Sequence, residues 1–131
     1  MNYLTEREIL ELEEIARQLR IESVRMIYRR KSGHPGGALS AAEIISVLFF
    51  KKLRLDPAKP DWEERDRFFL SKGHASAVLY AAMARRGFFP ESDLLHWGEL
   101  DCHLQGHPDR VKTPGIEMSA GPLGHGLAIG A

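Results

Sequence analysis

A chain of 131 residues with 18 basic and 18 acidic side chains has the length of one ordinary domain and no net charge. Balanced charge excludes the strong field that draws a protein to nucleic acid or to an acidic membrane. The single cysteine excludes an internal disulfide, and the most apolar window, residues 41–50, is too short to span a bilayer. Because residues 1–8 also lack the apolar run of a signal peptide, we expect a cytoplasmic protein with no membrane or nucleic-acid partner.

The first helix is predicted from about Glu6 to Arg30. Thr5 and Glu8 form a capping-box pattern at its start. Glu22 and Ser23 interrupt its apolar face, so we expect that end of the helix to face a loop or a partner. The apolar residues recur at helical spacing; they are Ile9, Leu12, Ala16, Leu19, Met26 and Ile27.

A second helix is predicted from about Ala41 to Lys52, after a glycine-rich turn. Gly33 is a natural stop for the first helix, and Pro35 prevents that helix from resuming. Ser40 and Glu43 repeat the capping-box pattern. The helix is apolar on most sides, which is typical of a buried helix; its apolar residues are Ile44, Ile45, Val47, Leu48, Phe49 and Phe50.

The middle of the chain predicts an α/β unit. Residues 66–71 have the pattern of a short buried strand, and a glycine loop and a helix from about Ala75 to Arg86 follow, ended by Gly87. A short helix is expected over residues 90–97 and a second short strand over residues 115–119. Ligands of open α/β sheets lie beyond the carboxyl ends of the strands, so the loop after residue 71 is a candidate binding loop.

Four of the six histidines directly follow a glycine: His34, His74, His107 and His125. Glycine allows backbone to approach a ligand closely, and histidine changes charge near neutral pH, so these loops are the candidate functional sites. His103 and His107 are four residues apart, but the adjacent glycine and proline argue against a helix there. Without a carboxylate or cysteine to complete a zinc pattern, no metal ligand is predicted in the chain.

The tail predicts a glycine loop that enters an apolar helix. A glycine loop at a helix start can cradle a phosphate, but residues 121–126 match neither the P-loop nor the dinucleotide-binding pattern. The helix has no cap and no packing partner before the sequence stops. From this ending we expect the chain to be a fragment or a truncated product.

Four ordered motifs together resemble transketolase, at the start of its diphosphate-binding domain. They are Lys-Ser-Gly-His-Pro-Gly-Gly at 31–37, Asp-Arg-Phe-Phe-Leu-Ser-Lys-Gly-His-Ala at 66–75, Gln-Gly-His-Pro at 105–108 and Ser-Ala-Gly-Pro-Leu-Gly at 119–124. The match extends from about Thr5 to Ala131, and its form is similar to the N-terminal subunit of split transketolases. The resemblance implies an α/β fold over residues 1–131, an incomplete thiamine-diphosphate-binding fold with a parallel sheet flanked by helices, helix-rich in this portion.

The resemblance also implies a reaction. Transketolases move a two-carbon ketol unit from a ketose phosphate to an aldose phosphate, using thiamine diphosphate and a divalent cation such as Mg²⁺. By position in the motifs, His34 would contact sugar hydroxyls and assist proton transfer, and His107 would contact the reacting end of the donor. His74 would bind the cofactor diphosphate. The residues implied to line the cofactor are Gly121, Pro122 and Leu123.

The chain departs from the family pattern in several places. His125 stands where the family more often has glutamine, and Ala120 where threonine is common. The Gly-Asp-Gly motif and asparagine that hold the metal, and the pyrimidine-binding part with its activating glutamate, are absent from these residues. The resemblance therefore implies that the chain alone is inactive. It would be completed by a C-terminal transketolase subunit or domain, in a homodimer or heterotetramer.

Two alternatives remain at this point. One is a related enzyme, 1-deoxyxylulose-5-phosphate synthase or dihydroxyacetone synthase, although the Gly-Pro-Leu-Gly motif and the His34-Pro35 setting favour transketolase. The other is a non-catalytic module that keeps the fold and pairs with a partner subunit. The exposed end of its last helix would then be the contact surface.

Overall fold

The computed structural model describes residues 3–131; residues 1 and 2, at the start of the predicted unit 1–131, lie outside the described residues. The α-helices are α1 (Glu6–Arg30), α2 (Pro35–Leu39), α3 (Ala42–Val47), α4 (Ser76–Arg86) and α5 (His125–Gly130). A π-helical turn, Leu48–Lys52, continues α3, and 3₁₀ turns occupy Gly73–Ala75 and Glu91–His96. None of the helices in this described range is long and apolar enough to cross a lipid bilayer.

The first helix has the predicted bounds, and its start is a capping box. The Thr5 hydroxyl accepts the Glu8 N–H at 3.3 Å, and the Glu8 carboxylate accepts the Thr5 N–H at 2.8 Å. The expected interruption at Ser23 is not an exposed face, because Ser23 is fully buried. Its hydroxyl donates to the Leu19 carbonyl at 2.7 Å, so the helix itself satisfies the polar group inside the core.

The end of α1 differs from the prediction at Gly33. Lys31, with φ of 53°, is the left-handed residue that caps the helix. Gly33 has φ of 135°, and a Cβ there would lie 2.9 Å from both Ile27 Cγ1 and Trp97 Cη2. Gly33 is therefore required by close packing in the turn and does not terminate the helix.

The second helix, predicted over residues 41–52, is observed as α3 and the π-helical turn that continues it. An unpredicted short helix, α2, precedes it, with Pro35 in its first turn and Ser40 as its C-cap. The Ser40 hydroxyl donates to the Gly37 carbonyl at 3.1 Å, so the predicted second capping box is wrong and Ala41 begins α3 without a side-chain cap. The helix is also less buried than expected: Ile45 is buried, whereas Ile44 is 63% exposed.

The centre of the core is α4. All residues from 76 to 84 are buried, and α1 and α3 pack against this helix. Three of the largest fully enclosed side chains, Tyr80, Leu19 and Ile45, come one from each of these helices. Gly87, with φ of 94°, ends α4 as predicted. Because α4 begins directly after residue 75, the core fixes the position of the glycine–histidine loop that precedes it.

The predicted strands are not observed in the part of the chain that the structure describes. Residues 66–71 and 115–119 contain no strand, and residues 90–97 contain a 3₁₀ turn instead of an α-helix. Within residues 3–131, the segment 66–71 is hydrogen-bonded to other backbone through the Asp66 N–H, which donates to the Arg54 carbonyl at 3.0 Å. A strand needs a neighbouring strand to pair its backbone groups, and these segments have none beside them. The described residues are therefore helical and irregular.

Candidate functional site

Three glycine–histidine loops meet at the N-terminal end of α4. His34 precedes α2, His74 lies in the 3₁₀ turn before α4, and His107 lies in the long irregular segment after residue 97. The ring of His74 is in edge contact with both of the others, with centroids 4.7 Å from His34 and 4.7 Å from His107. The fold thus brings together three imidazoles that are more than thirty residues apart in the sequence.

Short contacts hold the three loops to one another. A Cβ at Gly37 would lie 3.6 Å from Ala75 Cβ, so the backbone after His34 lies close to the loop of His74. The buried Ser76 hydroxyl donates to the Gly106 carbonyl at 2.6 Å, directly before His107. The arrangement of the histidines is therefore fixed by the packed start of α4.

The tail segment is held against the same place. A Cβ at Gly73 would lie 2.8 Å from the Ala120 carbonyl oxygen, so only glycine allows this approach. The Ala120 N–H donates to the Pro108 carbonyl at 3.0 Å. Ala120 therefore connects the loops of His74 and His107 to the glycine loop that begins at residue 121.

A cavity of about 190 Å³ borders the three imidazoles. Arg30 and Trp97 also border it, and none of the side chains around it is a carboxylate. His34 and His107 are exposed, whereas His74 is half-buried. Two imidazoles can therefore exchange protons with a molecule in the cavity while the third lies deeper.

The electrostatics of the cavity act on His107. Although most of the His107 side chain is exposed, desolvation of its buried part lowers its pKa below the ordinary value of 6.5, and the nearby rings of His74 and His34 lower it further by charge repulsion. The neutral imidazole is therefore favoured near neutral pH. A neutral imidazole carries one ring nitrogen that accepts a proton or a hydrogen bond.

His74 has an unsatisfied polar atom. Its Nδ1 is buried and has no hydrogen-bond partner among the described residues. A buried polar group without a partner costs about 1–3 kcal/mol, which a ligand that bonds to it can recover. An acceptor-rich ligand such as a diphosphate fits this nitrogen when it carries the ring proton.

The other predicted cofactor residues lie outside the histidine cavity. Gly121 is half-buried, and a Cβ there would meet nothing within 4 Å, while Pro122 and Leu123 are exposed. They follow Ala120 directly and so begin beside the Gly73 contact. His125 is exposed at the start of α5. The structure therefore brings the three histidines together but does not place Gly121, Pro122 or Leu123 among the cavity residues.

Sequence reasoning missed two cavity residues, Arg30 and Trp97. Arg30 belongs to a basic pair in the last turn of α1, a pattern that the helix dipole alone explains. Gly98, which has φ of 76°, also borders the cavity and offered a local signal, since an isolated glycine after a short helix marks a turn. Within residues 3–131, no group of three or more His, Cys, Asp or Glu side chains could hold a metal ion.

Comparisons with known proteins agree with the motif order. Residues 12–131 match the sequence profile of the family described as transketolase, thiamine diphosphate binding domain. A transketolase from Aquifex aeolicus is 42% identical over 126 residues, which are 95% of this chain and 18% of that protein. An apulose-4-phosphate transketolase subunit from Phocaeicola vulgatus is 40% identical over 123 residues, which are 94% of this chain and 43% of that protein.

Solved structures give the same result. The crystal structure of transketolase from Campylobacter jejuni superposes with a TM-score of 0.84 and 39% identity, covering 98% of this chain and 19% of that one. Transketolase from Leishmania mexicana gives a TM-score of 0.85 with 36% identity, over 89% of this chain and 18% of that one. The chain thus spans less than a fifth of these transketolases and of the Aquifex relative.

Proposed function

The chain belongs to the transketolase family, whose thiamine diphosphate binding domain it matches, and from this premise we propose that it forms the diphosphate-side half of a transketolase active site. The complete enzyme would move a two-carbon ketol unit from a ketose phosphate to an aldose phosphate. The chain alone would be inactive. The observation that carries the proposal is the contact of His74 with both His34 and His107.

The three histidines have two proposed roles, one in contacting the substrate and one in binding the cofactor. His34 and His107 are exposed at the cavity and would bond substrate hydroxyls and move their protons. The lowered pKa of His107 supports this role, because its neutral ring can accept a proton near neutral pH. His74, with its unpartnered Nδ1, would hold the diphosphate of the cofactor. Thiamine diphosphate, when bound, supplies the carbanion chemistry that side chains cannot.

The glycine loop would complete the cofactor wall. Gly121, Pro122 and Leu123 are proposed to line the cofactor through backbone and packing, since they start beside the contact between Gly73 and Ala120. Open space at Gly121 leaves room for a ligand to approach the backbone.

The remaining parts of the enzyme are proposed to come from outside these residues. They are the ligands of Mg²⁺ or another divalent cation, the pyrimidine-binding part, and the neighbouring strands that would pair residues 66–71 into a parallel sheet. The Phocaeicola relative, which is named as one subunit of its transketolase, supports a divided enzyme. We propose a cytoplasmic homodimer or heterotetramer with a C-terminal transketolase subunit or domain, acting on sugar phosphates in the pentose phosphate pathway, without nucleic acid or membrane.

Calorimetry tests this proposal. The chain is titrated with thiamine diphosphate and Mg²⁺, with and without a C-terminal transketolase subunit that carries the missing metal motif. Binding heat only in the presence of the subunit, together with ketol transfer from xylulose 5-phosphate, is the expected result. A tight complex that never binds the cofactor would instead support a non-catalytic module. Turnover with pyruvate as donor in place of xylulose 5-phosphate would identify a 1-deoxyxylulose-5-phosphate synthase.

A further inference from the structure

Ser76 uses its hydroxyl differently from most serines at a helix start. Such serines commonly cap the helix, because the hydroxyl accepts a backbone N–H of the first turn. At the start of α4 the capping position is held by Ala75, whose side chain cannot accept a hydrogen bond. The Ser76 hydroxyl instead donates to the Gly106 carbonyl at 2.6 Å, thirty residues later in the chain. Because Ser76 is fully buried, water cannot take the place of this bond.

The bond holds a residue that side-chain packing does not hold. Gly106 has no side chain, and a Cβ there would meet none of the described atoms within 4 Å. On the other side of His107, the Pro108 carbonyl accepts the Ala120 N–H at 3.0 Å. The backbone of His107 is therefore held at both flanking carbonyls, and Ser76 holds one of them.

The same bond controls the distance between two imidazoles. Ser76 lies two residues after His74, so its hydroxyl joins the start of α4 to the loop that carries His107. The rings of His74 and His107 are in edge contact, with centroids 4.7 Å apart. In the proposed function one ring holds the cofactor and the other contacts the donor, so their separation affects how the two bound molecules are aligned. Loss of the hydroxyl would release the Gly106 carbonyl and let His107 move away from His74.

We propose that Ser76 is a positioning residue for ketol transfer, which holds the His107 ring against His74 through the Gly106 carbonyl. The hydroxyl acts through this carbonyl and not by touching substrate, since Ser76 is enclosed in the core. For its effect on the reaction, this inference rests on the proposed function. The position of the ring, in contrast, can be measured in the chain without turnover.

Ser46 provides a matched control. It is buried like Ser76, and its hydroxyl donates to the Leu12 carbonyl at 2.8 Å, which joins α3 to α1. Ser46 does not border the histidine cavity. Ser46→Ala therefore removes the same kind of bond from the core without moving the histidines, and it should lower the midpoint of urea denaturation about as much as Ser76→Ala.

The first measurement follows the imidazoles of the 131-residue chain by NMR. Rings as close as those of His74 and His107 give a nuclear Overhauser effect between their protons, which should weaken in Ser76→Ala. The pKa of His107 should rise towards 6.5, because its burial and the repulsion from His74 and His34 both decrease. Ser46→Ala should leave both observations unchanged. A ring contact and a pKa that keep their wild-type values in Ser76→Ala, or that change equally in Ser46→Ala, would overturn the inference.

The second measurement is the reaction of the completed enzyme. A reacting group that is misplaced by about 1 Å can slow a reaction by about a hundredfold. Ser76→Ala should therefore lower kcat by about tenfold to a hundredfold, while KM for xylulose 5-phosphate and the affinity for thiamine diphosphate change by less than about threefold. Ser46→Ala should keep the wild-type values. A loss confined to KM, or equal losses of kcat in the two variants, would overturn the assignment.

Together the two measurements separate this inference from the proposed function. If the ring contact depends on Ser76 but the completed wild-type enzyme transfers no ketol unit, the proposed function fails and the placement of His107 by Ser76 still holds. If the wild-type enzyme is active and Ser76→Ala is equally active with an unmoved ring, the inference fails and the proposed function still holds.

Discussion

Two glycine–histidine loops lead into helices of opposite character. After Gly73 and His74, α4 is buried along residues 76–84. After Gly124 and His125, α5 exposes its apolar side chains, with Leu127 85% exposed. The same local pattern therefore specifies a loop and a helix start in both places. Burial of the helix that follows determines whether the histidine is fixed in a cluster or faces solvent.

The two loops also touch each other. A Cβ at Gly126 would lie 2.5 Å from Ser71 Cβ, and the Gly126 N–H donates to the Ser71 hydroxyl at 3.2 Å. The start of α5 is thus seated beside the residues that lead into His74. The exposed apolar side of α5 is available to the proposed partner part of the enzyme, whereas α4 has already buried its own.

The largest expected effect is on stability and compares one substitution in the two helices. Leu79→Ala in α4 removes a side chain that is 3% exposed and should lower the free energy of unfolding by about 2–5 kcal/mol. Leu127→Ala in α5 should change it by no more than about 0.5 kcal/mol, because that side chain is already in water. Urea denaturation of both variants measures the difference. Similar losses in the two would mean that α5 is packed as tightly as α4.

The helices were predictable where their signals are local. Thr5 and Glu8 form the capping box that the sequence indicated, and Gly87 ends α4 with a left-handed φ. The second capping box failed because Ser40 serves a different helix, α2, whose formation depends on the turn at Pro35. The strand over residues 66–71 failed for another reason. A strand needs a neighbouring strand to pair with, and an apolar run in the sequence does not show whether such a neighbour is present.

The three histidines of the candidate site were predictable from the sequence, whereas two other cavity residues and the geometry were not. The order of the four motifs indicated that His34, His74 and His107 act together, and their rings are in contact. The spacing of these histidines in the sequence could not predict the ring contacts, because the packing between the loops determines which side chains meet. Arg30 was missed because a basic residue at a helix end has an ordinary explanation in the helix dipole. Its cavity position depends on Gly98, 68 residues later.

The next effect tests whether the two loops differ in function. In the completed enzyme, His74→Ala should weaken thiamine diphosphate binding by about 1–3 kcal/mol, because a bond to the diphosphate is lost. His125→Ala should have a smaller effect, since that ring is exposed and outside the cavity. Calorimetry with Mg²⁺ present provides both affinities. Equal losses would show that the two loops contribute alike to the cofactor site.

His34→Ala provides the complementary result in the same enzyme. Its kcat should fall by about a hundredfold or more, the usual contribution of an acid–base group, while cofactor affinity changes little. Steady-state rates at saturating cofactor give kcat, and the calorimetric affinity serves as the control. Turnover and affinity that both remain at wild-type levels would refute the proposed role of His34.

The smallest effect is a pKa change within the histidine cluster. The pKa of His107 lies below 6.5, first because of partial burial and then because of repulsion from His74 and His34. His74→Ala should therefore raise the pKa of His107 part of the way to its ordinary value, His34→Ala should raise it less, and His125→Ala should leave it unchanged. NMR titration of the His107 ring from about pH 4 to 8 measures this order.

The lowered pKa of His107 also determines how the stability of the fold changes with pH. Since the unfolded chain binds the His107 proton more readily than the folded chain, the fold is fully stable with respect to this group above its ordinary pKa. That stability is lost as the pH falls from the ordinary value through the lowered one. In His74→Ala, the pH range over which this stability is lost should narrow, because the pKa of His107 in the folded chain moves towards its value in the unfolded chain. A pH range that kept its width would mean that burial alone sets the pKa of His107, and that the contact between the rings carries no charge coupling.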